Sequence, residues 1–434
     1  MDPVTLSLVL LAVVICSLGA GLWIFVGLLL TALFAFLVLL GFPVPRIGSI
    51  LTPVILKSVF SFELAAVPLF IWMGEIISGT NLAAKLFSGL APWVRRLPGG
   101  LLHANVGGAV IFSGMSGSSV AATATIGRVA TSELIGRRYD PSLVYGSITV
   151  AGTIGIMIPP SITLIIYGIV AEVSVAKLFA AGIFPGLMLG LLYSGYIFVR
   201  SLINPALAPA QQDAYSWRQR FAGLLGMAPV LLLIAFLMGS IYGGFATPSE
   251  SAAVGVFGAI VIARFSGGIT LADLYRTGMN AVLTTAMIGS ALAAAAVLAT
   301  AIGFLHLPQM LSEAIVALNL SPMMLLLLLT LIYVMLGTVL DGISMVLMTV
   351  PIVLPLLTTA GFDPIWIGVY LVLMVEIGLV TPPIGFNLFV LRSITGVPIG
   401  QIALATLPFF ALMLLGGLLL SIFPQIALWL PAQI

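Results

Sequence analysis

Charged residues are scarce in this sequence of 434 residues. Asp, Glu, Lys and Arg together make up 6% of the chain, whereas soluble domains carry about 25%. Hydrophobic residues account for 61%, and they form continuous apolar runs of about 20 residues, the length that a helix needs to cross a bilayer. The short segments of alternating hydrophobicity that are typical of β-barrels are missing. We therefore predict an all-α polytopic membrane protein that sits in a lipid bilayer.

Cysteine and histidine are also rare. Cys16 is the single cysteine, which excludes an internal disulfide and a cysteine-based metal cluster. The two histidines, His103 and His306, lie at the ends of predicted spans, and no pair of His or Cys has metal-ligand spacing. The formal net charge of +2 is too small to indicate a nucleic-acid partner. We expect no cofactor, so oxygen atoms have to provide any binding chemistry.

Two short stretches in long apolar runs resemble each other. Residues 155–161 read GIMIPPS and residues 378–384 read GLVTPPI. Because proline removes an N–H donor and clashes with the preceding turn, each stretch must unwind its helix. Unwound backbone is tolerated in lipid only where protein or a water-filled cavity surrounds it. Paired broken helices of this kind indicate the binding site of a secondary transporter.

Each of these broken helices follows an apolar segment with a polar turn. Residues 103–125 are interrupted by the Gly- and Ser-rich sequence of 112–120, and both flanks are basic. A segment that starts and ends on one side and turns on Gly and Ser is a re-entrant hairpin. Residues 322–357 turn at 337–342 and form the second predicted hairpin.

The turns and breaks of the two halves share one register. Pro382 lies 223 residues after Pro159, and the same shift relates Gly337 to Gly114. This register predicts an inverted repeat with two re-entrant hairpins and two broken helices, in an elevator-type ion transporter fold. The predicted division is N-terminal scaffold helices in 1–45, repeat 1 in 46–203 (hairpin 103–125, broken helix 144–172), a linker and connecting helices in 204–268, repeat 2 in 269–426 (hairpin 322–357, broken helix 365–391) and a C-terminal end in 427–434.

The distribution of Lys and Arg predicts that the two repeats have opposite orientations. Arginines flank the first hairpin, which places those flanks in the cytoplasm. The flanks of the second hairpin, 306–321 and 358–364, contain no Lys or Arg and are expected outside. With ten crossings, both termini are then outside. Three basic residues are exceptions to this charge rule, because the assignment places them on the outer side of the membrane: Arg46, Lys57 and Lys177.

The turns and breaks offer oxygen ligands for a hard cation such as Na⁺. A re-entrant turn leaves free carbonyls at one helix end, and serine hydroxyls add small oxygen ligands. The alternative is that Gly and Ser form a close helix-packing interface. The candidate cation ligands of the first half are Gly114, Ser116, Ser118, Ser119, Gly152, Thr153, Gly155 and Pro159.

Asp341 marks the second turn. A carboxylate at the midplane of a membrane helix costs about 2.5–3.5 kcal/mol on insertion scales, and no Lys or Arg lies in the neighbouring spans to pair with it. A cation is the expected partner; the alternative is a helix N-cap, and both roles can coexist. The candidate cation ligands of the second half are Gly337, Thr338, Asp341, Gly342, Gly378, Thr381 and Pro382.

An anionic substrate would be attracted to the half-helix N-termini that follow the double prolines. The candidate substrate ligands are Ser119, Ser161, Gly385 and Asn387; for Asn387 the alternative is polar packing. Glu376, two residues before the second break, could bind a cation or relay protons, or it could be a protonated carboxyl bonded to a carbonyl. These alternatives stay open.

A rival interpretation concerns residues 114–117, because Gly-Met-Ser-Gly has the form found in intramembrane serine proteases. That chemistry needs a histidine base within reach of Ser116. The only later histidine, His306, is expected at a helix end on the opposite side. We therefore do not expect an enzyme, and two inverted hairpins with two breaks are more than a channel needs.

Five stretches together carry a resemblance to a known family: residues 112–120, 152–161 and 177–186, then 337–355 and 381–387. They resemble the large membrane subunit of tripartite ATP-independent periplasmic (TRAP) transporters over nearly the whole chain. The resemblance implies an elevator-type transporter of a bacterial or archaeal inner membrane, driven by Na⁺ symport. In such a membrane the charge distribution places both termini in the periplasm. It also implies three partners: a periplasmic binding protein, the organic acid (carboxylate) that it delivers, and a small four-helix membrane subunit on a separate chain.

The resemblance places the cation sites at the hairpin tips and unwound stretches, here 114–119, 152–160, 337–342 and 378–382. The sequence departs from the family in lacking an acidic residue after the first tip. Proton coupling at Glu376 is the alternative to Na⁺ coupling. We further predict a mobile part, 103–172 and 322–391, that translates against a scaffold made from the rest, with 81–96 and 306–320 as hinged arms.

Overall fold

The computed structural model describes residues 3–209, 215–266, 268–317, 320–338, 340–382 and 385–434. These residues form helices and contain no strand, which confirms the all-α polytopic prediction. Among them, six helices are long and apolar enough to cross a membrane, or up to eight if each of two bent pairs counts as one span. The ten crossings expected from hydropathy include segments that the structure divides into shorter apolar helices.

Five helices precede the first predicted hairpin. They are α1 (Pro3–Gly19), α2 (Ile24–Phe34, continued by a π-helical turn Ala35–Leu39), α3 (Val44–Val59), α4 (Ala66–Ser78) and α5 (Leu82–Val94). Helices α3 and α4 form one of the bent pairs, with an angle of 45°. The buried face of α5 packs on a later helix, where a Cβ built on Gly89 would lie 2.8 Å from the carbonyl oxygen of Gly223.

The first hairpin and its broken helix form a run of five helices. They are α6 (Leu101–Ser116), α7 (Ser119–Gly136), α8 (Pro141–Met157), α9 (Ile162–Ala171) and α10 (Val175–Ile203). Short polar side chains set the starts of α7, α8 and α9, because the side-chain oxygens of Ser118, Asp140 and Ser161 each accept a hydrogen bond from a backbone N–H in the first turn. The double proline ends α8, and α8 and α9 meet at an angle of 43°.

Four helices follow: α11 (Trp217–Tyr242) and α12 (Pro248–Ser266) connect the halves, and α13 (Leu271–Phe304) and α14 (Leu307–Ala317) begin the predicted second repeat. A capping box starts α13 at Leu271, because the Thr270 hydroxyl accepts the N–H of Asp273 at 3.1 Å and the Asp273 carboxylate accepts the N–H of Thr270 at 3.2 Å. Residues 211–213 of the predicted polar linker lie outside the described residues.

The second half ends the chain with six helices. They are α15 (Pro322–Gly337), α16 (Gly342–Thr359), α17 (Pro364–Leu379), α18 (Phe386–Thr395), α19 (Ile399–Ile422) and α20 (Gln425–Leu428). Adding 223 to the bounds of α7 gives 342–359, the bounds of α16, and adding it to those of α8 gives 364–380, one residue beyond the end of α17. The helical order is thus duplicated, whereas the inversion of the halves across a membrane stays a prediction.

The outer spans of each half, which we predicted to belong to the scaffold, pack closely on the broken helices of the predicted mobile part. A Cβ on Gly182 of α10 would collide with the carbonyl oxygen of Met157, and one on Gly146 of α8 would collide with that of Ala405 in α19. These glycines bring α10 and α19 into backbone contact with the broken helices. The main neighbours of α10 are α6, α8, α9, α17, α19 and α20.

For description we group the helices into two bodies, which also contact each other directly through α5 with α6, α4 with α6 and α13 with α16. The central body comprises α6–α10 and α15–α20, and the outer body comprises α1–α5 and α11–α14. Helices α5 and α14 lie between the bodies, because α5 packs on both α11 and α6 while α14 packs on α1, α13 and α16.

Candidate functional site

The first turn is built by a left-handed glycine and a capping serine. Gly117 ends α6 with φ 61°, a conformation that favours glycine. The Ser118 hydroxyl then accepts the N–H of Ala121 at 3.2 Å and starts α7. The Ser116 hydroxyl donates towards the carbonyls of Ser113 and Ser118, each at 3.4 Å. In the described part of the chain Ser116 has no histidine partner, so the protease interpretation gains no geometric support.

The first turn lies directly against the first break. A Cβ on Gly155 would overlap the side chain of Ser113, and a Cβ on Gly152 would lie 2.7 Å from the carbonyl oxygen of Ser119. At Gly114 a Cβ would come within 3.5 Å of the carbonyl oxygen of Pro159, and the Pro159–Pro160 peptide is cis. The structure therefore brings the predicted ligands of the hairpin tip and the break into one place.

Thr153 lies between Gly152 and Gly155 in the sequence and uses its hydroxyl proton locally. Its hydroxyl donates to the carbonyl of Val150 at 2.7 Å. The side-chain oxygen retains acceptor capacity, so Thr153 can still act as an oxygen ligand.

The second turn is capped by a carboxylate. Asp341 accepts hydrogen bonds from the N–H groups of Ile343 at 3.2 Å and Ser344 at 3.3 Å, and also from the Ser344 hydroxyl. The N-cap alternative for Asp341 is therefore realised. One carboxylate oxygen serves the two N–H groups and the other the hydroxyl, which leaves lone pairs for a cation. The Thr338 hydroxyl donates to the carbonyl of Met335 at 2.7 Å.

The second turn also lies against the second break. Gly337 and Gly378 are in backbone contact, since a Cβ on Gly378 would lie 2.7 Å from the Cα of Gly337. A Cβ on Gly342 would lie 2.8 Å from a methyl group of Val375. Thr381 closes the end of α17 by donating its hydroxyl to the carbonyl of Ile377 at 2.7 Å.

The structure describes the second break up to Pro382 and again from Gly385. Pro382 is the last described residue before Gly385, and the predicted residues Pro383 and Ile384 lie outside the described residues. Gly385 precedes α18, and a Cβ there would approach the carbonyl oxygen of Thr381 to 3.0 Å.

Two of the four candidate substrate ligands meet between the halves. Asn387 of α18 donates its amide to the Ser119 hydroxyl at 2.8 Å and to the carbonyl of Thr149 at 3.3 Å, and both Ser119 and Asn387 are buried. Ser161 instead caps α9 by accepting the N–H of Leu164 at 3.3 Å. The structure thus joins Ser119 to Asn387 and gives Ser161 a local role.

Two buried polar groups near the turn were not singled out from the sequence. Ser113 and Thr123 each hold a side-chain oxygen that is buried without a hydrogen-bond partner in the described part of the chain. Thr123 follows Ser119 by four residues on α7, and its hydroxyl lies at Gly152. This helical spacing of polar residues in an apolar segment was the available signal.

A cavity of about 930 Å³ separates the two bodies elsewhere. Its lining comes from α3, α4, α12 and α13 of the outer body and from α9 and α10 of the central body, and it contains none of the candidate ligands. At this cavity Lys57 of α3 pairs with Glu172, which caps the end of α9, at 2.6 Å. This ion pair joins the outer body to the central body.

Comparisons with known proteins agree on one family. Residues 8–426 match the family model described as "Tripartite ATP-independent periplasmic transporter, DctM component". A C4-dicarboxylate TRAP transporter large permease protein of Pseudomonas aeruginosa is 32% identical over 375 residues, which cover 85% of this chain and 86% of that protein. An ectoine/5-hydroxyectoine TRAP transporter large permease protein of Ruegeria pomeroyi is 32% identical over 369 residues, covering 85% and 86%.

A solved structure shares the fold. The YdaH transporter of Alcanivorax borkumensis matches with a TM-score of 0.65 and 17% identity, covering 90% of each chain. At this identity the likeness shows the fold alone.

Proposed function

The chain belongs to the DctM component family of tripartite ATP-independent periplasmic transporters, and from this premise we propose that it imports an organic acid in symport with Na⁺. The chain is a large permease subunit of a transporter for organic substrates. The names of the two relatives specify a C4-dicarboxylate in one case and ectoine in the other. The carboxylate class proposed here therefore rests on the chemistry of this chain.

One observation carries the Na⁺ proposal: in both halves a polar turn is in backbone contact with a broken helix. The pairs are Gly155 with Ser113 and Gly378 with Gly337. Backbone carbonyls, serine hydroxyls and the Asp341 carboxylate are oxygen ligands, which suit a hard cation. Two sites follow, one at each turn, formed by the candidate ligands named from the sequence.

The acid would bind between the turns. Helices α9 and α18 start just after the two breaks, so their N-terminal N–H groups favour an anion there. Ser119 and Asn387 add a hydroxyl and an amide at the contact between the halves.

We also propose the remaining parts of the tripartite system. A periplasmic binding protein would deliver the acid, and a small four-helix membrane subunit on a separate chain would complete the permease. The complex would lie in the inner membrane, with both termini of this chain in the periplasm. The central body would move as an elevator against the outer body, with α10 and α19 included in the moving part because they pack on the breaks.

Reconstitution tests the coupling and the partners together. The chain, the small subunit and the binding protein are placed in proteoliposomes, and uptake is measured under a Na⁺ gradient, a pH gradient, or neither. We expect uptake only with inward Na⁺ and only with the binding protein present. Uptake driven by a pH gradient without Na⁺ would replace Na⁺ symport by proton symport, and uptake without the binding protein would contradict the proposed partner.

Asp341→Asn tests the second cation site. Asparagine still caps a helix N-terminus, so α16 should keep its start while the negative charge is lost. We expect Na⁺-driven uptake to be abolished or strongly reduced. Asp363→Asn is the control, because Asp363 caps α17 in the same way, through the N–H groups of Ile365 and Trp366, away from both turns. Equal activity of the two variants would remove Asp341 from the site.

A further inference from the structure

An aromatic cluster lies where the end of α5 meets the start of α11. The ring centroid of Trp93 is 6.5 Å from that of Trp217 and 6.4 Å from that of Phe221, and the last two centroids are 6.2 Å apart. All three side chains are exposed, and Trp217 is 64% exposed. Exposed tryptophans of membrane proteins are enriched at the boundary between the hydrocarbon and the lipid headgroups. The cluster therefore indicates the level of the headgroups at this junction.

Two arginines are held against these aromatic rings. The guanidinium carbon of Arg220 lies 4.8 Å from the ring centroid of Trp217 and 6.0 Å from that of Trp93. The guanidinium carbon of Arg95 lies 5.6 Å from the ring centroid of Tyr215. A cation–π contact orients a guanidinium group without using its N–H donors. The two charges are therefore positioned at the junction of the two helices with their donors still available.

The two guanidinium groups lack acceptors in the described part of the chain. No ion pair or hydrogen bond there involves the side chain of Arg95 or Arg220. The Nε atom of Arg220 is also buried there without a hydrogen-bond partner. Because a buried donor without an acceptor is costly, we expect an acceptor from outside the described chain to complete this cluster.

The charge around the junction is positive. Two further arginines, Arg96 and Arg218, belong to the same two segments, and residues 81–100 and 215–225 contain no Asp or Glu. Asp213 lies outside the described residues, and one aspartate against four arginines leaves a net charge of +3. The N-terminus of α11 lies at the same place and also favours negative charge. The missing acceptor is therefore expected to belong to an anion.

An apolar stripe on α11 continues from the cluster. α11 is one of the helices long and apolar enough to cross a membrane. One of its faces carries large apolar side chains that are each more than half exposed: Phe221, Leu225, Leu232 and Phe236. The stripe is about 22 Å long at the rise of an α-helix, which exceeds the roughly 15 Å of hydrocarbon in one leaflet. An acyl chain therefore fits the stripe while its phosphate lies at the arginines.

We propose that Arg95, Arg220 and the start of α11 bind the phosphate of an anionic phospholipid, whose acyl chain lies along the stripe of α11. Guanidinium groups bind phosphate oxygens in a bidentate manner. A zwitterionic lipid would bring its ammonium group towards the same arginines, so an anionic headgroup such as phosphatidylglycerol is preferred. The lipid would hold the end of α5 on α11, where Gly89 and Gly223 already bring the backbones together.

This site lies in the outer body, away from both turns and both breaks. None of its residues is a candidate ligand for Na⁺ or for the organic acid. The inference therefore depends neither on Na⁺ symport nor on the identity of the substrate.

Quenching of tryptophan fluorescence by brominated lipids tests the proposal, because Trp93 and Trp217 lie inside the site. The purified full chain is placed in phosphatidylcholine nanodiscs, in which a rising fraction of the lipid is brominated phosphatidylglycerol or brominated phosphatidylcholine. We expect half-maximal quenching at a lower fraction of phosphatidylglycerol. Arg220→Gln should reduce this preference about fivefold, the factor that one basic residue contributes near an anionic membrane surface.

Two further variants make the measurement specific. Arg46→Gln is the matched control, because Arg46 is also stacked on an aromatic ring, 3.8 Å from the centroid of Phe42, but near the last residue of α13, Phe304. Its preference should equal that of the wild type. Arg218→Gln covers the case in which Arg220→Gln does not fold, since Arg218 is exposed; this variant should also reduce the preference.

Four outcomes would overturn the proposal. The first is equal quenching of the wild type by the two lipids, and the second is an undiminished preference in Arg220→Gln and Arg218→Gln. The third is loss of quenching when inorganic phosphate is added at constant ionic strength, which would assign the arginines to a soluble phosphate. The fourth is loss of quenching when the small membrane subunit is added, which would assign the stripe to that subunit.

Discussion

Adding one methyl group to the second break tests whether the contact between turn and break forms a cation site. Gly378→Ala places a Cβ 2.7 Å from the Cα of Gly337 and 3.1 Å from the terminal methyl of Met345. The methionine can rotate away, but the glycine backbone has no flexible end. The favourable separation of two carbons begins at about 3.5 Å, so the turn must move from the break by roughly 0.8 Å.

The energetic size of this movement follows from overpacking. Extra methyl groups in a well-packed region cost about 1–3 kcal/mol. If this cost falls on the Na⁺-bound arrangement, the Na⁺ concentration for half-maximal uptake rises by about 5- to 150-fold, since about 1.4 kcal/mol is a factor of ten. Alanine also favours a helix over glycine by about 1 kcal/mol, which acts in the opposite direction on stability.

The control for the helix effect is Gly289→Ala in α13, where a Cβ would have no neighbour within 4 Å. Uptake is measured in proteoliposomes over a range of Na⁺ concentrations at constant ionic strength. We expect Gly289→Ala to follow the wild type and Gly378→Ala to need far more Na⁺. If both variants show the same Na⁺ activation, the contact at Gly337 is ordinary helix packing and the argument for a site there is refuted.

Two further predictions use the first turn and the ion pair. Ser118→Ala removes the cap of α7, which costs about 1 kcal/mol, and should weaken Na⁺ activation about fivefold in the same assay. Ser118→Thr keeps a capping hydroxyl and should leave Na⁺ activation unchanged. An equal loss in both variants would show that the cap is not the cause. Cysteines replacing Lys57 and Glu172 in a Cys16→Ser background should be joined by a short bismaleimide, because their side chains now meet at 2.6 Å. We expect the crosslink to stop uptake if the central body moves; a crosslinked transporter with full activity would exclude that movement.

The local ends of the helices at the site could be predicted from the sequence. Pro159 and Pro160 stop α8 after Met157, and the Ser161 cap starts α9, so the first break appears where the double proline requires it. Gly117 turns the first hairpin through a left-handed conformation. These features depend on steric rules and capping within a few residues, which the sequence contains.

The partners across the fold could not be predicted in the same way. Gly182 of α10 looks like any small residue of an apolar span, yet it brings that helix against the carbonyl of Met157. The sequence shows that a close approach is possible there, but not which helix approaches. For this reason the packing of α10 and α19 on the broken helices did not follow from the sequence.

The roles of two carboxylates illustrate the same limit. Asp341 precedes glycine after a turn, and its capping role follows from local chemistry. Glu376 lies inside a regular helix, so its surroundings depend on other helices, among them α7, which is far away in the sequence. Its alternatives stayed open for this reason, and only the packing identified Ser119 as its neighbour.

The two bodies differ in how well they preserve the duplication. In the central body α16 has the bounds of α7 after the shift of 223 residues. In the outer body, α13 runs without a break over 34 residues where the first half has two helices bent by 45° at residues 60–61. The cavity and the Lys57–Glu172 ion pair both lie beside that bend.

This asymmetry has a mechanical consequence. The helices that the central body contacts are unequal: a bent pair with a cavity on one side and a continuous helix packed against α16 on the other. If the central body moves as proposed, its two positions therefore differ in energy even without ligand. Since an exposed ion pair contributes only about 0–1 kcal/mol, Lys57–Glu172 can shift this balance by at most about fivefold. Substituting either residue singly should therefore change the rate of uptake modestly and leave the Na⁺-to-substrate ratio unchanged, whereas changes at the turns should alter the ratio or the Na⁺ affinity.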